Sequence, residues 1–420
     1  MEKQVKPRVE SGPRPTLTFQ QKRRGKPPRH LADLARSERR EVVSALGYPA
    51  FRADQLSRHY FEHRTIDPAA MTDLPQAQRE AIVTELLPPL MEKVSEQFAD
   101  GGRTLKVLWK LFDGAVVESV LMAYPDRATL CLSSQAGCGM ACPFCATGQA
   151  GLTRNLSTAE IIEQLRLNMV LAESGALGEP VRITNVVFMG MGEPMANYPA
   201  VRGALHRMID PAPEGFGMSA RHITVSTVGL VPAILKLAEE GLQVTLAVSL
   251  HAPDDGLRDD LIPINSRYKT AELLDAARHY FIRTGRRVSI EYALIKDMND
   301  HKWRADLLAA ELNSRGHGWA HVNPIPLNPT PGSIWTASTN EATRAFVNTL
   351  LEAGISTTVR DTRGSEIDGA CGQLAAEVVD RDNVARRAKK AQEAVEARLA
   401  EHRTEPENLA DQLAVMTAGH

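Results

Sequence analysis

The sequence Cys138-Gly-Met-Ala-Cys142-Pro-Phe-Cys145 contains three of the five cysteines of this 420-residue chain. Three thiolates at this spacing can bind three irons of a four-iron, four-sulfur cluster and leave the fourth iron open for a small molecule. A structural zinc site is the alternative, because a distant histidine such as His222 or His251 would complete a tetrahedral set of ligands. Zinc modules usually show paired groups of ligands, whereas this chain shows one group, so the spacing favours the iron-sulfur cluster.

The region around these cysteines alternates short apolar runs with helical patterns. Strands are predicted at 128–132, 183–188, 222–226, 244–250, 288–294 and 321–327. Helices are predicted at 158–173, where Ser157 and Glu160 form a capping box, and at 200–208, 231–240, 271–281, 303–313 and 342–353. Six strand-helix repeats predict a parallel sheet with crossover helices. A partial, six-stranded TIM-like barrel and a flat doubly wound sheet both fit this pattern.

Small and polar residues follow the predicted strands, at the strand ends where parallel α/β sheets bind ligands. The sequence Gly190-Met-Gly-Glu193 follows the second strand. Its glycines permit either close approach of a ligand or simply a tight turn, and Glu193 suits an ammonium group. Later strand ends carry Ser226, Ser249, His251 and Asn328. Hydroxyl, imidazole and amide groups at several strand ends predict a large polar nucleoside ligand.

The remaining two cysteines lie outside this run. Cys131 is on the first predicted strand, and Cys371 is in a glycine-bearing loop after the apolar stretch 355–360. A lone cysteine is most simply a small buried apolar residue. The polar loop favours an accessible and reactive thiol at Cys371.

Different patterns flank the alternating region. Residues 30–93 have helical periodicity, and residues 94–121 form short alternating runs with Asp113-Gly114 as a turn between predicted strands. Residues 375–403 are rich in Ala, Glu, Arg and Lys and predict a helix. We expect residues 404–420 to be loose.

Residues 1–29 form a basic arm with nine Lys or Arg and two Glu, although the whole chain has a net charge of −2. The Pro and Gly content of this arm predicts disorder. The arm is either a solubilising tail or a transient contact for RNA, because cationic chains bind phosphate without needing structure.

The overall composition is that of a soluble globular protein, with 43% hydrophobic and 24% charged residues. No apolar run approaches the roughly 20 residues that span a bilayer, and no secretory signal is visible at the N-terminus. Cysteines at metal-ligand spacing indicate a reducing compartment, so we expect a cytoplasmic enzyme.

Long ordered motifs occur between about residue 30 and residue 379. They are Arg127-Ala-Thr-Leu-Cys-Leu-Ser-Ser-Gln-Ala-Gly-Cys138, the three-cysteine run, Phe144-Cys-Ala-Thr-Gly148, Asn155-Leu156, Gly190-Met-Gly-Glu-Pro194, Val248-Ser-Leu-His-Ala-Pro253, Pro263-Ile-Asn265 and Ala370-Cys-Gly-Gln-Leu374. Together these motifs resemble the RlmN/Cfr family of radical S-adenosylmethionine (SAM) RNA methyltransferases. The basic arm and the C-terminal helix lie outside the resemblance.

The resemblance implies a fold, a cofactor set and a set of contacts. The implied fold is α/β, a partial (β/α)6 TIM-like radical SAM barrel with a small N-terminal helical domain and a C-terminal helix. One [4Fe-4S] cluster is implied on Cys138, Cys142 and Cys145. SAM contacts are implied for Gly192, Glu193, Ser226, Ser249, Leu250, His251 and Asn328. The expected domains are an arm at 1–29, a helical accessory domain at 30–93, a β linker at 94–123, the radical SAM core at 124–374 and a helical tail at 375–420.

The implied reaction is methylation of C2 of adenosine 2503 in 23S ribosomal RNA and of adenosine 37 in transfer RNAs, with two SAM molecules per turnover. Cys371 takes a methyl group from one SAM, and a 5′-deoxyadenosyl radical from the second removes a hydrogen atom from that methyl. The carbon radical adds to C2, Glu118 takes the C2 proton, and Cys131 attacks the Cys371 sulfur to form a transient disulfide. Without the resemblance, Glu118 would be predicted to be an exposed residue on a strand.

The implied partners are 23S ribosomal RNA, transfer RNA and an electron donor such as flavodoxin or ferredoxin, with no membrane and a monomeric enzyme. We expect RNA to be bound before ribosome assembly is complete, because the target adenine is then more easily unstacked. Cfr-type methylation at C8 of the same adenine stays open, because the motifs do not separate C2 from C8. A methylthiotransferase would need a second cysteine trio, which five cysteines cannot supply.

Overall fold

The computed structural model describes residues 25–125, 127–330, 332–360, 363–374, 381–399, 405–406 and 408–417. Most of the predicted basic arm, residues 1–24, therefore lies outside the described residues. Among the described helices, none is both long and apolar enough to cross a membrane.

Helices form the N-terminal region, as its periodicity predicts. They are α1 (Arg36–Ala45), α2 (Arg52–Phe61) and α3 (Gln76–Leu86). Their buried residues join the same apolar core as the rest of the molecule. The Tyr60 hydroxyl donates to Glu163 Oε2 over 2.8 Å, and Arg39 donates to the Pro213 carbonyl oxygen over 3.0 Å. The helical region is thus fixed to the remainder of the chain by both packing and hydrogen bonds.

Nine of the described strands form one sheet. In chain order the strands are β1 (Met91–Ala99), β2 (Thr104–Leu111), β3 (Val116–Ala123), β4 (Ala128–Cys131), β5 (Gln135–Gly137), β6 (Leu152–Asn155), β7 (Ile183–Phe188), β8 (Ile223–Thr227), β9 (Thr245–Ser249), β10 (Val288–Leu294) and β11 (Ala320–Pro326). The sheet order is β1-β2-β3-β4-β7-β8-β9-β10-β11, and β5 pairs separately with β6. The first three strands are antiparallel, with the predicted Asp113-Gly114 turn between β2 and β3. The first of them begins at Met91, slightly before the predicted boundary at residue 93.

The six strands from β4 to β11 in the large sheet are parallel neighbours in chain order. A doubly wound sheet reverses its strand order at a switch point, and this sheet does not. Consecutive right-handed crossovers place all the connecting helices on one side of the sheet, which is the winding of a TIM-like barrel. The partial radical SAM barrel is confirmed, and the doubly wound alternative is excluded.

Eight described helices connect and follow these strands. They are α4 (Ala146–Ala150), α5 (Thr158–Glu173), α6 (Tyr198–Ile209), α7 (Val231–Glu239), α8 (Asp255–Leu261), α9 (Thr270–Thr284), α10 (Lys302–Asn313) and α11 (Asn340–Glu352). Six of them match the predicted positions closely, and the two short helices α4 and α8 were not predicted. The predicted capping box begins α5: Ser157 Oγ accepts from the Glu160 amide over 3.1 Å, and Glu160 Oε2 accepts from the Ser157 amide over 2.9 Å.

Residues 355–360 and 363–374, here called the closing segment, lie at the last strand of the barrel. The segment first extends beside β11, where the Arg360 amide donates to the Pro324 carbonyl oxygen over 2.9 Å. It then reaches the β1–β2 turn, where the Gly364 amide donates to Asp100 Oδ2 over 3.1 Å. It returns to α4, where the Ala146 amide donates to the Gly372 carbonyl oxygen over 2.8 Å. This path carries Cys371 from the edge of the barrel to its mouth.

Two helices end the described chain. The predicted C-terminal helix is α12 (Arg381–Leu399); the predicted residues 375–380 and 400–403 lie outside the described part. The expectation that residues 404–420 are loose is wrong for α13 (Leu409–Thr417). Leu409, Leu413 and Met416 are spaced along one helix face and pack on Trp303 and Leu307 of α10, so apolar contact orders this helix.

Candidate active site

An open cavity of about 1010 Å³ lies at the carboxyl ends of the parallel strands. Ten of the predicted site residues line it: Cys138, Cys142, Cys145, Gly192, Glu193, Ser226, Ser249, His251, Asn328 and Cys371. Strand ends of a barrel converge on one face, so residues that are far apart in sequence meet there. Leu250, Cys131 and Glu118 do not line this cavity.

The eight residues Cys138–Cys145, here called the cluster loop, connect β5 to α4. Cys138 and Cys142 are buried and Cys145 is half-buried, among apolar residues that include Met140 and Phe144. The Gln149 side chain donates to the Cys142 carbonyl oxygen over 3.0 Å, and the Cys145 amide donates to the same oxygen over 3.1 Å. These bonds hold the loop around its second cysteine.

The three thiols fit an iron-sulfur cluster better than a single zinc ion. Among the described residues, no three His, Cys, Asp or Glu side chains come together as the ligands of one metal ion. In a cubane each thiolate binds a different iron, so the three sulfurs need not converge on one point. His222 precedes β8 at the opposite end of the barrel, and His251 already accepts a backbone hydrogen bond. Neither histidine completes a zinc site.

The buried thiols of the cluster loop would need bound cations in order to ionise. Burial raises the pKa of Cys138, Cys142 and Cys145, and the nearby Cys145 thiol raises the pKa of the other two further. Three thiolates in such a place are stable only when positive charge is bound between them. The donor set therefore fits a [4Fe-4S] cluster, whose irons supply that charge.

The turn after β7 presents Glu193 to the cavity. Its two carboxylate oxygens accept hydrogen bonds from the amides of Met195 and Val228, over 3.0 and 2.9 Å. Burial nevertheless raises the pKa of Glu193 to about 7. A cationic ligand group beside this carboxylate would offset that burial, because an opposite charge favours the ionised form.

The glycines of this turn have a packing role. A Cβ atom at Gly192 would lie 2.5 Å from Gln135 Cβ, and the Gly192 φ angle of 99° also favours glycine. A Cβ atom at Gly190 would lie 2.6 Å from the Leu132 carbonyl oxygen. The tight-turn interpretation of these glycines therefore explains them without any ligand.

His251 follows β9 and has a defined tautomer. Its Nδ1 accepts from the Ala293 amide over 2.9 Å, so a neutral ring carries its proton on Nε2. Burial, together with the nearby Arg258, lowers the pKa of His251 to about 3. The ring of Phe144, from the cluster loop, meets the His251 ring edge-on with the centroids 5.1 Å apart. A neutral hydrogen-bond donor thus lies beside the cluster loop.

The other predicted SAM residues differ in burial and in the hydrogen bonds that they make within the protein. Ser226 Oγ donates to the Phe188 carbonyl oxygen over 2.5 Å, and Asn328 Nδ2 lies 3.4 Å from the Cys371 carbonyl oxygen. The Leu250 side chain is fully buried, and its amide and carbonyl groups bond to Glu291 and Arg258. Leu250 therefore supports the cavity wall from behind.

Cys371 lies where two cavities meet. It lines the main cavity with the cluster loop and also a second cavity of about 520 Å³ that contains Cys131. Burial and the nearby Cys371 raise the pKa of Cys131 to about 12. All five cysteines are described and all carry free thiols, so the transient disulfide expected between Cys131 and Cys371 during the reaction is not formed in this structure.

Glu118 is fully buried, which corrects the expectation of an exposed strand residue. It lies on β3, and the register that pairs Val120 with Cys131 places Glu118 on the same face of the sheet as Cys131. The Lys106 ammonium, also buried, is 3.8 Å from Glu118 Oε1. The antiparallel strand extends the barrel wall, so a residue of the predicted linker belongs to the barrel interior.

Sequence reasoning missed a charged pair in the cavity wall. Arg360 Nη1 is 3.2 Å from Glu291 Oε2 and 3.1 Å from the Met189 sulfur. Arg360 lines both cavities, and its charge lowers the pKa of Cys131. Glu291 lies within the apolar run of β10, and a charged residue inside such a run was the signal that could have identified it.

Comparisons with known proteins agree with this geometry. A model of the Radical SAM superfamily matches residues 132–309. The chain is 62% identical over 378 residues to the probable dual-specificity RNA methyltransferase RlmN of Kocuria rhizophila, which covers 89% of this chain and 98% of that protein. The protein of the same name from Kineococcus radiotolerans is 63% identical over 361 residues, 86% of this chain and 92% of that protein. The crystal structure of a radical SAM methyltransferase from Sphaerobacter thermophilus has a TM-score of 0.79 and 44% identity, over 83% of this chain and 100% of that chain.

Proposed function

The chain belongs to the RlmN family of radical SAM RNA methyltransferases, and from this membership we propose that it methylates C2 of adenine, at adenosine 2503 of 23S ribosomal RNA and at adenosine 37 of transfer RNAs. The family implies a [4Fe-4S] cluster and SAM as cofactors. The observation that carries the proposal is that Cys371 lies in the same cavity as the three cysteines of the cluster loop. A methyl-carrying thiol is thereby next to the site where SAM would be activated.

The chemistry of the target explains why a radical route is needed. Carbon 2 of adenine is electron-poor, so it does not attack the methyl group of SAM as an ordinary nucleophile would. A cluster held by Cys138, Cys142 and Cys145 would supply the electron that splits SAM into methionine and a 5′-deoxyadenosyl radical, and would take back the one electron that the RNA adduct later gives up. The protein supplies the thiol that carries the methyl group, the base and the resolving thiol.

Cys371 acts first in the proposed sequence. Its thiolate attacks the methyl carbon of one SAM, forming the sulfur–carbon bond of S-methylcysteine and displacing S-adenosylhomocysteine. After a hydrogen atom is removed from this methyl, the carbon forms a bond to C2 of adenine and links RNA to Cys371. The position of Cys371, between the main cavity and the cavity with Cys131, supports both this step and the later release.

Glu118 and Cys131 complete the reaction. Once the adduct has given up one electron, Glu118 takes the C2 proton, with Lys106 as the nearby cation. Cys131 then attacks the Cys371 sulfur: a disulfide forms, the sulfur–carbon bond breaks, and its electron pair takes up a proton to complete the new methyl group. Cys371 lines both cavities, whereas Glu118 is fully buried and lines neither, so the proposal requires RNA binding to open the wall around Glu118 to the adenine.

The proposed partners are 23S ribosomal RNA before ribosome assembly is complete, transfer RNA and an electron donor such as flavodoxin or ferredoxin. The cavity opens at the barrel mouth, and an adenine must leave its stack to enter it. Unstacking this adenine costs less free energy in an RNA that is not yet assembled into a ribosome. We propose that the enzyme acts as a monomer in the cytoplasm.

The test is anaerobic reconstitution with iron and sulfide, then incubation with SAM, a reductant and a fragment of 23S ribosomal RNA or a transfer RNA. Mass spectrometry of the digested nucleosides should show 2-methyladenosine from both RNAs, and none with the Cys371→Ala variant. A product of 8-methyladenosine would instead assign the Cfr-type reaction. Equal methylation of intact ribosomal subunits and free RNA would contradict the proposed timing.

The variant Glu118→Gln distinguishes the proposed role of Glu118 as proton acceptor from that of Cys371 as methyl carrier. This variant should still form S-methylcysteine at Cys371, detected by peptide mass spectrometry, but should form at least about a hundredfold less product if general-base catalysis is lost. A normal yield of methylated RNA from Glu118→Gln would assign the proton transfer to another group.

A further inference from the structure

Four buried residues of α12 lie along one side of the helix: Val384, Ala388, Gln392 and Val395. Their spacing of four, four and three residues is that of one helix face. Val395 packs in an apolar group that also contains Cys138, Met140 and Cys142. This face of α12 therefore covers the cluster loop, although the sequence motifs of the family stop before the helix.

Gln392 connects the helix to the cluster loop directly. Its side-chain amide donates to the Pro143 carbonyl oxygen over 3.0 Å, and its Oε1 accepts from the Ile334 amide over 2.8 Å. Pro143 lies between the second and third cysteines of the loop. Gln392 is fully buried, and its bond to the Pro143 carbonyl oxygen is buried as well, so loss of this side chain would leave that oxygen without this partner. The amide of Ile334, a residue that is itself exposed, would lose its acceptor.

Further contacts fix α12 over this loop. The Trp335 indole donates to Glu396 Oε1 over 2.8 Å. A Cβ atom at Gly332 would lie 2.8 Å from the Ala385 carbonyl oxygen, so the backbones of this loop and the helix are in close contact. The helix is thus held at several points along its length.

We propose that Gln392 is a positioning residue for the cluster loop and that α12 shields the cluster from water and oxygen. The helix closes the apolar side of the loop, and solvent access is one of the factors that control the behaviour of a protein-bound iron-sulfur cluster. The proposal rests on the cluster that the proposed function requires, but it does not depend on which RNA atom is methylated.

The test compares Gln392→Met with Arg398→Ala in the full chain. Gln392→Met keeps the side-chain size and removes three hydrogen bonds, those with the Pro143 carbonyl oxygen, the Ile334 amide and the Ser333 hydroxyl. Arg398→Ala removes a solvent-exposed ion pair with Asp260 at 2.7 Å on the same helix, and exposed pairs of this kind contribute little to stability. After anaerobic reconstitution, the loss of visible iron-sulfur absorbance in air should be about fivefold faster for Gln392→Met and unchanged for Arg398→Ala. This factor corresponds to about 1 kcal/mol, the usual net contribution of one hydrogen bond.

A second readout needs neither cluster nor RNA. Hydrogen exchange of the Ile334 amide in the cluster-free protein should become about fivefold faster in Gln392→Met, because its acceptor is gone. The proposal is overturned if the Ile334 amide exchanges faster while the cluster bleaches at the wild-type rate, or if Arg398→Ala bleaches as fast as Gln392→Met. If Gln392→Met does not fold, the same measurement is made on Val395→Ala. Faster loss of the iron-sulfur absorbance in this variant would support shielding of the cluster by α12, and loss at the wild-type rate would overturn the proposal.

Discussion

Two walls that carry cysteines border the two adjoining cavities, and they are built in different ways. The cluster loop is one continuous stretch of eight residues, with one internal backbone hydrogen bond from the Cys145 amide to the Cys142 carbonyl oxygen. The wall around Cys371, here called the thiol wall, combines Cys131 from β4, Glu291 from β10 and Arg360 from the closing segment. The three thiols of the first wall are near neighbours in sequence, whereas the side chains of the second wall meet only after the barrel has formed. Metal binding and methyl transfer should therefore be separable by mutation.

Loss of one cysteine from each wall tests this separation most strongly. Cys142→Ala should reduce the reconstituted iron content from about four per chain to less than about one, because a cluster thiolate is missing. Cys371→Ala should keep its iron, because its thiol lies outside the cluster loop. Both variants should lose at least about a thousandfold in product formation. Iron analysis together with nucleoside mass spectrometry checks the pair, and loss of iron in Cys371→Ala would show that the two walls are not independent.

Cys131→Ser tests whether the two cysteines of the thiol wall have different roles. A hydroxyl does not form the disulfide by which the proposed mechanism releases the RNA, so a covalent complex between the RNA and Cys371 should accumulate. A denaturing gel would show this complex as a slow band that disappears with ribonuclease treatment. The double variant Cys131→Ser with Cys371→Ala is the control and should form no complex. Normal turnover by Cys131→Ser would rule out Cys131 as the resolving thiol.

Arg360→Gln should have a smaller effect on the same wall. It removes the cation that lowers the pKa of Cys131, so a smaller fraction of this thiol is ionised and release of RNA should slow by about tenfold. The measurement is the decay rate of the covalent complex after it has formed. Arg360→Lys keeps the charge and should restore most of the rate. Equal rates for wild type and Arg360→Gln would show that this guanidinium has no part in release.

His251→Gln probes the pH dependence of the cluster side of the cavity. The pKa of His251 is lowered to about 3 from 6.5, so the neutral ring is stable when folded and protonation favours unfolding. Stability from this group is therefore complete above pH 6.5 and is lost as the pH falls toward 3. As the pH falls from 6.5 to 5.5, the free energy of unfolding should decrease by about 1 kcal/mol more in the wild type than in the variant, because glutamine does not titrate. Urea unfolding of the cluster-free proteins at the two pH values measures the difference.

Local sequence signals predicted much of the fold. Apolar runs and helical periodicity located the six parallel strands and their helices, and Ser157 with Glu160 marked the start of α5. The sheet order was not accessible in this way, because strand pairing joins residues that are far apart in sequence. The helix α13 was missed because its few apolar residues acquire a partner only when α10 is nearby. An isolated short helix has little stability without such packing.

The candidate site divides in the same way. The spacing of Cys138, Cys142 and Cys145 predicted a metal-binding loop, since residues three or four apart stay close in any compact fold. From the residues alone Glu118 was predicted to be exposed, and this was wrong: it is buried beside Lys106. The sequence does not show that β3 extends the barrel wall, and without that wall one face of β3 would be open to solvent. The contact of Gln392 with Pro143 had no sequence signal, because a polar residue in a charged helix is usually exposed.

The amino-acid sequence by itself determined the strand-helix alternation, the three-cysteine loop and the membership of this chain in its family. These features depend on short-range spacing and on side-chain type, which are written along the chain. The tertiary structure decided that Cys371 lies next to the cluster loop, that Arg360 pairs with Glu291 and that α12 covers the cluster loop. Those contacts form only when the barrel brings distant segments together, because their energy comes from burial and charge pairing and not from local backbone preference.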